Sequence, residues 1–557
     1  MRMLLSSVFG PFGVNDDFGR EENIMELFHN QVTREQGLFS LRFNHESYGL
    51  HFLAENVELP TTVLDFPSQD RFRQEVARGY DYVGISFIVP NFEKARRMAE
   101  IVREVSPTSR IILGGHGTSI PGVEQQIPCD NVCRGDGIGF LRRLLGEDPD
   151  RPIRHPVMYS SFNREVMGAP IPDGAGILIP GVGCSNHCRF CATSHFFGGY
   201  TPYLPTGRSV FDACCAAEAQ LGVTDFGVLD ENFLKLPERA RELVQCMEQE
   251  QKQFTFGIFS SAETLTALGD LDLLVRMGVN FIWMGVESER EIYEKNQSID
   301  FKVLVAELRR RGIAVMASAI LFLEHHDRTT IWEDIDFVIG LRPDYLQFMQ
   351  LGPHPGTALY KDYERQGKLL EGVPYAEQHG QDRIWFEHPV FARAESRTIL
   401  LEAFRRDYAA GGASFLRNLR TNLMGLRYVS GHADPRVRAR TRTMQQFCAR
   451  LRPLLLAAAA FSENAATTAL VAELRAEYQA LLGSPTPRER ITSVAVLGYA
   501  AREKLRCSLF GHVREPPVKQ TKYRAAAALT DARGTPVARK LKELLSTRPP
   551  QLRELEA

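Results

Sequence analysis

Three of the chain's ten cysteines fall in one short run, Gly183-Cys184-Ser185-Asn186-His187-Cys188-Arg189-Phe190-Cys191, at C-x3-C-x2-C spacing directly after an apolar stretch. Thiolates that close in sequence can converge on one inorganic cluster, and a 4Fe-4S cube held by three cysteines keeps one iron without a protein ligand. Such an iron can chelate the amino and carboxylate groups of a small molecule, which a four-cysteine electron-transfer site cannot. A zinc knuckle, or three unrelated buried cysteines, is the competing reading. Structural zinc normally takes a fourth Cys or His at short spacing, and His187 and His195 keep that alternative open.

Two further runs carry chemistry of another kind. Leu113-Gly114-Gly115-His116-Gly117-Thr118 and Arg134-Gly135-Asp136-Gly137 each follow a predicted strand. Glycines there let the backbone approach a large planar or phosphate-bearing ligand. Tight turns of any doubly wound domain are the alternative. Cys129, Cys133, Cys214 and Cys215 read as buried or incidental thiols, with an auxiliary cluster as the alternative. Arg436, Arg438, Arg440 and Arg442 read as a solvated basic face, with attraction of an anionic substrate as the functional alternative.

The elements that must position these residues fall into two βα series and a helical region. Strands are predicted at Met3 to Val8, Thr61 to Asp65, Asp81 to Ile88, Arg110 to Gly114 and Asn131 to Arg134. Ala95, Met98, Ala99 and Val102 recur at helical spacing between two of them. This is the pattern of a doubly wound α/β domain over residues 1–146. Residues 147–173, with Pro149, Pro152, Pro156, Pro170 and Pro172, read as a linker. A second series over 174–395 has strands at Ile177 to Gly183, Asp225 to Leu229, Phe254 to Ser260, Asn280 to Val286, Ile313 to Ile320 and Tyr345 to Gln350. Six βα units suit a partial parallel barrel, whose chemistry sits at the strands' C-terminal ends. Residues 396–557 read as a helical substrate or cap region, with the last part, around Pro516, Pro517, Pro549 and Pro550, expected to be partly disordered.

Composition narrows the partners. At 557 residues, with 44% apolar, 24% charged and a net charge of -2, the chain is a globular protein without global attraction to nucleic acid or anionic membrane. The short apolar start runs into Asn15, Asp16, Asp17, Glu21 and Glu22, which reads as a first strand and not a signal peptide. No apolar run reaches the roughly 20 residues of a membrane span. A reducing, cytoplasmic setting is expected from the scattered cysteines.

With its aromatic Phe190 before the last cysteine and its place after a first barrel strand, the cysteine motif resembles the signature of the radical S-adenosylmethionine (SAM) superfamily. Matching runs follow in order: Asp230-Glu231-Asn232-Phe233 after the second strand, Gly285-Val286-Glu287-Ser288 ending the fourth, Lys295 beyond it, and Gly352-Pro353-His354-Pro355-Gly356-Thr357 after the sixth. The resemblance implies a cluster on Cys184, Cys188 and Cys191, with SAM contacts from Phe190, Asp230, Glu231, Asn232, Glu287 and Ser288. It departs from the family after the fifth strand, where Leu321-Phe322-Leu323-Glu324-His325-His326-Asp327 replaces a Gly-rich turn. His325 and His326, as neighbours in sequence, are expected to point apart in a polar loop.

The first series, through Ser86, Gly114, Gly115, His116, Gly135 and Asp136, is similar to the Rossmann-like cobalamin-binding domain fused to many such enzymes. An Asp-x-His-x-x-Gly cobalt-ligand motif is absent from the sequence. Either cobalamin binds without that lower ligand, or the domain has lost it. The resemblance implies cleavage of SAM to a 5'-deoxyadenosyl radical and cobalamin-dependent C-methylation of a lipid or secondary metabolite. Cyclisation, oxidative rearrangement, carbon–carbon coupling and a non-enzymatic Fe-S or cobalamin sensor are the alternatives. A one-electron donor such as flavodoxin or ferredoxin is the implied partner.

Overall fold

The computed structural model describes residues 1–10, 26–171, 174–290, 296–511 and 518–523. The expectations placed on Asn15 to Glu22, Pro172, Lys295, Pro516, Pro517, Pro549 and Pro550 lie outside the described residues.

The first series folds as read. β1 (Met3–Ser7), β2 (Thr61–Asp65), β3 (Tyr82–Ser86), β4 (Arg110–Gly114) and β5 (Asn131–Val132) form a parallel sheet in the order β2-β1-β3-β4-β5. β1 and β2 are buried along their whole length, because helices cover both faces of a parallel sheet. One face packs Leu4, Val83 and Ile111 under the helix Phe92–Val105, whose stripe of Ala95, Met98, Ala99 and Val102 is buried as its spacing requires. The other packs Met3, Leu5 and Ile112 under Leu50 and Leu141. The strand order reverses between β1 and β3, which opens a crevice at the C-terminal edge.

The stretch read as a linker is more structured than its prolines implied. It contains β6 (Met158–Ser160) and a small hairpin of β7 (Glu165–Val166) and β8 (Ala169–Pro170). The run Ile177 to Gly183, expected as one strand, is two. β9 (Ala175–Leu178) enters the large sheet, while β10 (Gly181–Gly183) pairs antiparallel with β11 (Tyr200–Pro202). Pro180 is the cause: it has no N–H for a ladder, and its carbonyl instead accepts Tyr203 N at 2.7 Å and Leu204 N at 2.8 Å.

β9 continues through β12 (Asp225–Val228), β13 (Thr255–Phe259), β14 (Val279–Glu287), β15 (Ala314–Leu321) and β16 (Tyr345–Gln350) as six parallel strands, with β6 antiparallel outside β9. The gap beyond β16 is filled by the segment after Glu26. Phe28 meets Tyr345 edge-on at 5.5 Å, Phe43 stacks on Phe162 at 4.3 Å, and Arg42 N bonds to Glu165 O at 2.8 Å.

The C-terminal helices divide between the two ends of the strands. The first turn of the helix Arg393–Gly411 reaches the C-terminal end of β16, where Ser396 O accepts from Gln350 Nε2 at 3.2 Å, whereas the helix Ser414–Ser430 packs beneath the strands. Gly425 lies against Gly312, which precedes β15, and Thr421 Oγ1 donates to Asp344 Oδ1, which precedes β16, at 2.6 Å. Of the four arginines read as a solvated face, Arg438 and Arg442 are exposed, whereas Arg436 and Arg440 are buried. Arg436 Nη2 donates to Arg276 O at 2.7 Å and Arg440 Nη1 to Val275 O at 2.6 Å. They satisfy the last carbonyls of the helix Asp272–Met277, and burial lowers the Arg440 pKa to about 10.

β17 (Lys519–Tyr523), near the end of the chain, returns to pair antiparallel with β2. His51 joins the two: its Nε2–H donates to Asp65 Oδ2 at 2.8 Å, and its Nδ1 accepts from the Tyr523 hydroxyl at 2.9 Å. No helix among the described residues is long and apolar enough to cross a membrane. Tyr523→Phe keeps the ring and removes one buried hydrogen bond, so a loss of about 1 kcal/mol is expected, read as earlier thermal unfolding in anaerobic calorimetry.

Candidate functional site

The three cysteines occupy the loop between β10 and the helix Ala192–Phe197, and all three are half-buried, whereas Cys133, Cys214, Cys246 and Cys448 are buried. Burial pushes the Cys133 and Cys448 thiols up to about 12 and Cys214 well above its ordinary value. These remain neutral thiols, unlike the ionised ligand a metal needs.

Several contacts hold the loop. Gly183 has φ +81, and a Cβ there would fall 1.8 Å from Gly199 O, so only glycine lets β10 and β11 close behind Cys184. Cys191 N bonds to Cys188 O at 3.0 Å, and His187 turns the loop at φ 46. Arg189 O accepts Leu359 N at 3.0 Å, and the Arg189 side chain pairs with Asp362 at 2.7 Å. The helix Ala358–Arg365, which follows the Pro-Gly run after β16, thus clamps the cysteine loop from the far side of the sheet. Phe190 packs against the barrel core.

Asp230, Glu231 and Asn232 follow β12 but do three different things. Asp230 is locked: its Oδ2 accepts from Arg239 Nη2 at 2.8 Å and from the Tyr200 hydroxyl at 2.7 Å, with both ion-pair side chains only 1% exposed. Arg239 lies over the Phe233 ring at 4.4 Å. Asn232 ties the ends of β12 and β13 together. Its Nδ2 donates to Ser261 and Thr264 at 3.1 and 3.2 Å, and its Oδ1 accepts Ser261 N at 3.2 Å. Glu231 alone of the three has an accessible side chain, although protein crowds around it. The surrounding protein strips its hydration and raises its pKa, the Asp230 carboxylate adding to this while a Thr193 hydrogen bond opposes it. Thr193 lies two residues past Cys191, so Glu231 stands beside the cysteine loop.

At the end of β14, Glu287 is buried at φ 65 within a register shift. A non-glycine residue in this conformation costs about 1–3 kcal/mol and persists only where its surroundings impose it. Ser288 is buried next to it. The loop that replaces the Gly-rich turn departs from expectation, because the His325 and His326 rings meet at 4.6 Å. Leu323 N donates to His326 Nδ1 at 3.0 Å, so Nε2 carries the proton that His326 gives Asp334 Oδ2 at 2.8 Å. With one nitrogen accepting and the other donating, His326 pins the loop to Asp334.

Ser86, Gly114, Gly115, His116, Gly135 and Asp136 all line one cavity of about 480 Å³ at the crevice of the first sheet. Its opposite wall comes from the second series, through Ile179, Val182, Phe196, Phe197 and Tyr203. His116 stacks on Phe196 at 4.6 Å, Tyr203 stacks on Phe52 at 5.0 Å, and the Tyr203 hydroxyl donates to Asp136 at 2.9 Å. Gly115 has φ +83, and a Cβ would meet Phe87 O at 2.6 Å. His116 Nε2 is buried without a hydrogen-bond partner, and burial lowers its pKa to about 4. A neutral imidazole with an orphaned nitrogen, in a glycine-floored and largely apolar cavity, suits a large planar ligand that brings its own polar group.

Sequence reasoning did not single out Tyr200, Tyr203, Arg239 or the Phe196 and Phe197 pair. Only the aromatic pair close behind the cysteines left a visible signal.

No protein-family profile matches the chain. In sequence it is 25% identical over 368 residues to an uncharacterized methyltransferase of Pyrococcus horikoshii, spanning 58% of this chain and 79% of that protein. It is 24% identical over 353 residues to the anaerobic magnesium-protoporphyrin IX monomethyl ester cyclase of Rubrivivax gelatinosus, spanning 55% and 63%. It is 22% identical over 329 residues to the bacteriochlorophyllide d C-8(2)-methyltransferase of Chlorobaculum tepidum, spanning 52% and 70%. The fold is shared with the radical SAM methyltransferase TsrM of Kitasatospora setae, solved with tryptophan substrate and the SAM analogue aza-SAM. That match has a TM-score of 0.51 at 15% identity and spans 82% of this chain and 100% of that one. The chain is thus an enzyme resembling methyltransferases in sequence and a radical SAM methyltransferase in fold.

Arg239→Met would leave Asp230 buried and uncompensated, at an expected cost of about 3–5 kcal/mol. The double variant Arg239→Met/Asp230→Leu should recover a large part of that loss in anaerobic urea unfolding, since it removes both charges together.

Proposed function

We propose that this radical SAM methyltransferase-like enzyme holds a 4Fe-4S cluster on Cys184, Cys188 and Cys191, SAM at the barrel mouth and cobalamin in the cavity between the sheets, and C-methylates a small molecule. One observation carries the reading: a single short helix, Ala192–Phe197, begins at Cys191 and ends with Phe196 and Phe197 in the cavity wall. At 1.5 Å per residue, the cysteine loop and the cavity lie within about 10 Å of one another.

Bound there, the cluster supplies an electron for breaking a carbon–sulfur bond of SAM, and cobalamin supplies a methyl group. The chain's own residues do the rest. Glu231 and Glu287 offer carboxylates at the mouth, of which Glu231 stands accessible beside the cysteine loop and Glu287 is fixed in a strained turn. Asp230 takes no direct part, since Arg239 already neutralises it. It acts by holding Tyr200, and through β11 the hairpin behind the cysteines. The neutral His116 and the largely apolar wall give the cavity few charges to hold water, which would help a bound cofactor displace it. A one-electron donor of the flavodoxin or ferredoxin kind would supply the reducing equivalent. The cyclase among the relatives supports ring formation as a second reading, and S-adenosylhomocysteine among the products distinguishes methylation from it.

Anaerobically purified protein should carry about four iron and four sulfide per chain, and each of Cys184→Ala, Cys188→Ala and Cys191→Ala should abolish 5'-deoxyadenosine formation. Stoichiometric zinc, or no metal, at these sulfurs overturns the proposal. Gly114 has no atom within 4 Å of an added Cβ and lines the cavity. Gly114→Val should therefore fold normally yet lose cobalamin uptake, measured as cobalt content after anaerobic reconstitution.

A further inference from the structure

The six parallel strands enclose an interior that is packed toward β15 and β16, where buried Met316 and Tyr345 meet Phe281 and Trp283, and accessible along β13 and the upper part of β14. In closed βα barrels the interior is filled by layers of bulky side chains. Here β13 alternates half-buried and buried positions, and β14 does the same from Phe281 to Val286. The buried set, including Phe256, Ile258, Ile282 and Met284, packs outward against the helices. The half-buried set therefore faces an accessible lumen.

The lumen is layered. At its deep end Gly227 and Gly257 sit beside Phe281, over Phe162. Above them Phe259 lies beside Trp283, their rings stacked at 5.0 Å and 28°. Next comes a small and polar row, Gly285, Ser318 and Gln347. Glu287 follows at the rim. Trp283 Nε1 donates to Ser318 Oγ at 2.6 Å, Ser318 Oγ donates to Gln347 Oε1 at 2.9 Å, and Gln347 Nε2 donates to Gln31 Oε1 at 3.3 Å. This relay fixes the plane of the indole and holds amide and hydroxyl groups one layer nearer the mouth. None of these three layers carries a charged side chain.

We infer that this lumen is the substrate slot and that it takes an uncharged, planar aromatic molecule, stacked on the Phe259–Trp283 pair with an amide- or hydroxyl-type group at the level of Ser318 and Gln347. The inference rests on the proposed function, because the rim where Glu287 and Glu231 stand is the place assigned to SAM. Flat rings gain from stacking beyond their buried area, whereas a flexible chain loses rotamer freedom in the same space. The slot therefore selects planarity over mere hydrophobicity. A lipid tail is the competing occupant, and the test separates the two.

Equilibrium dialysis of the full-length, anaerobically reconstituted, SAM-loaded protein would compare 2-naphthamide with decanamide, which share a head group and differ in shape. 2-Naphthamide should bind saturably at one site and decanamide at least about tenfold more weakly. Phe259→Leu should weaken 2-naphthamide about threefold to tenfold and leave decanamide unchanged, while Phe259→Tyr, which keeps the ring, should restore binding. Equal or tighter binding of decanamide, no binding of 2-naphthamide, or indifference to Phe259→Leu in a protein of unchanged melting temperature overturns the slot. Iron and 5'-deoxyadenosine are measured on the same preparation. Their absence defeats the cluster reading, whereas their presence without 2-naphthamide binding defeats the slot alone.

Discussion

The buried pair of Asp230 and Arg239 is the constraint from which the site's geometry follows. Two charges that are each 1% exposed survive because they pair with one another and with surrounding hydrogen-bonding groups, Arg239 Nε being the one polar atom of the guanidinium without a partner. Tyr200 donates to the carboxylate and accepts from the guanidinium at 2.8 Å, Phe233 O accepts a second donor at 2.9 Å, and the Phe233 ring lies beneath. Tyr200 begins the strand that closes the hairpin behind the cysteines. The end of the second barrel strand and the root of the cysteine loop are therefore one rigid unit, as a site needing sub-ångström placement demands.

The candidate site and the packing of the C-terminal helices concentrate at different ends of the strands. The strands' C-terminal ends carry the cysteine loop, Glu231, Asn232 and Glu287, and they face the glycine-floored crevice of the first sheet. The N-terminal ends rest on the C-terminal helices through Arg436, Arg440, Asp344 and the Gly312 to Gly425 approach. Parallel barrels confine chemistry to one end, which leaves the other free for packing. The return of β17 to the first sheet joins the end of the described chain to its beginning.

Most strands were readable because their signals are local. Tyr345–Gln350 and Thr61–Asp65 have the bounds that their apolar runs imply, since a strand buried on both faces shows as continuous hydrophobicity. The failures have two sources. Pro180 divides a run that hydropathy joins. Arg436 and Arg440 look solvated until the helix end they cap is in place. His325 and His326 come together because Asp334, eight residues past His326, accepts the His326 proton. For the arginines and histidines the deciding partner was remote or lay in the backbone, where side-chain patterns carry no mark, whereas Pro180 was visible in the sequence and outweighed there by the apolar run around it.

The sequence alone determined the cysteine spacing, the glycines that admit close backbone approach, and the two βα series with their order. These depend on residue type and short-range periodicity. Only the tertiary structure decided that Asp230 and not Glu231 is locked in an ion pair, that Arg436 and Arg440 cap a buried helix end, and that Phe259 and Trp283 stack inside the strands. Those outcomes turn on which charges find partners and which rings meet, and both are properties of residues brought together from distant parts of the chain.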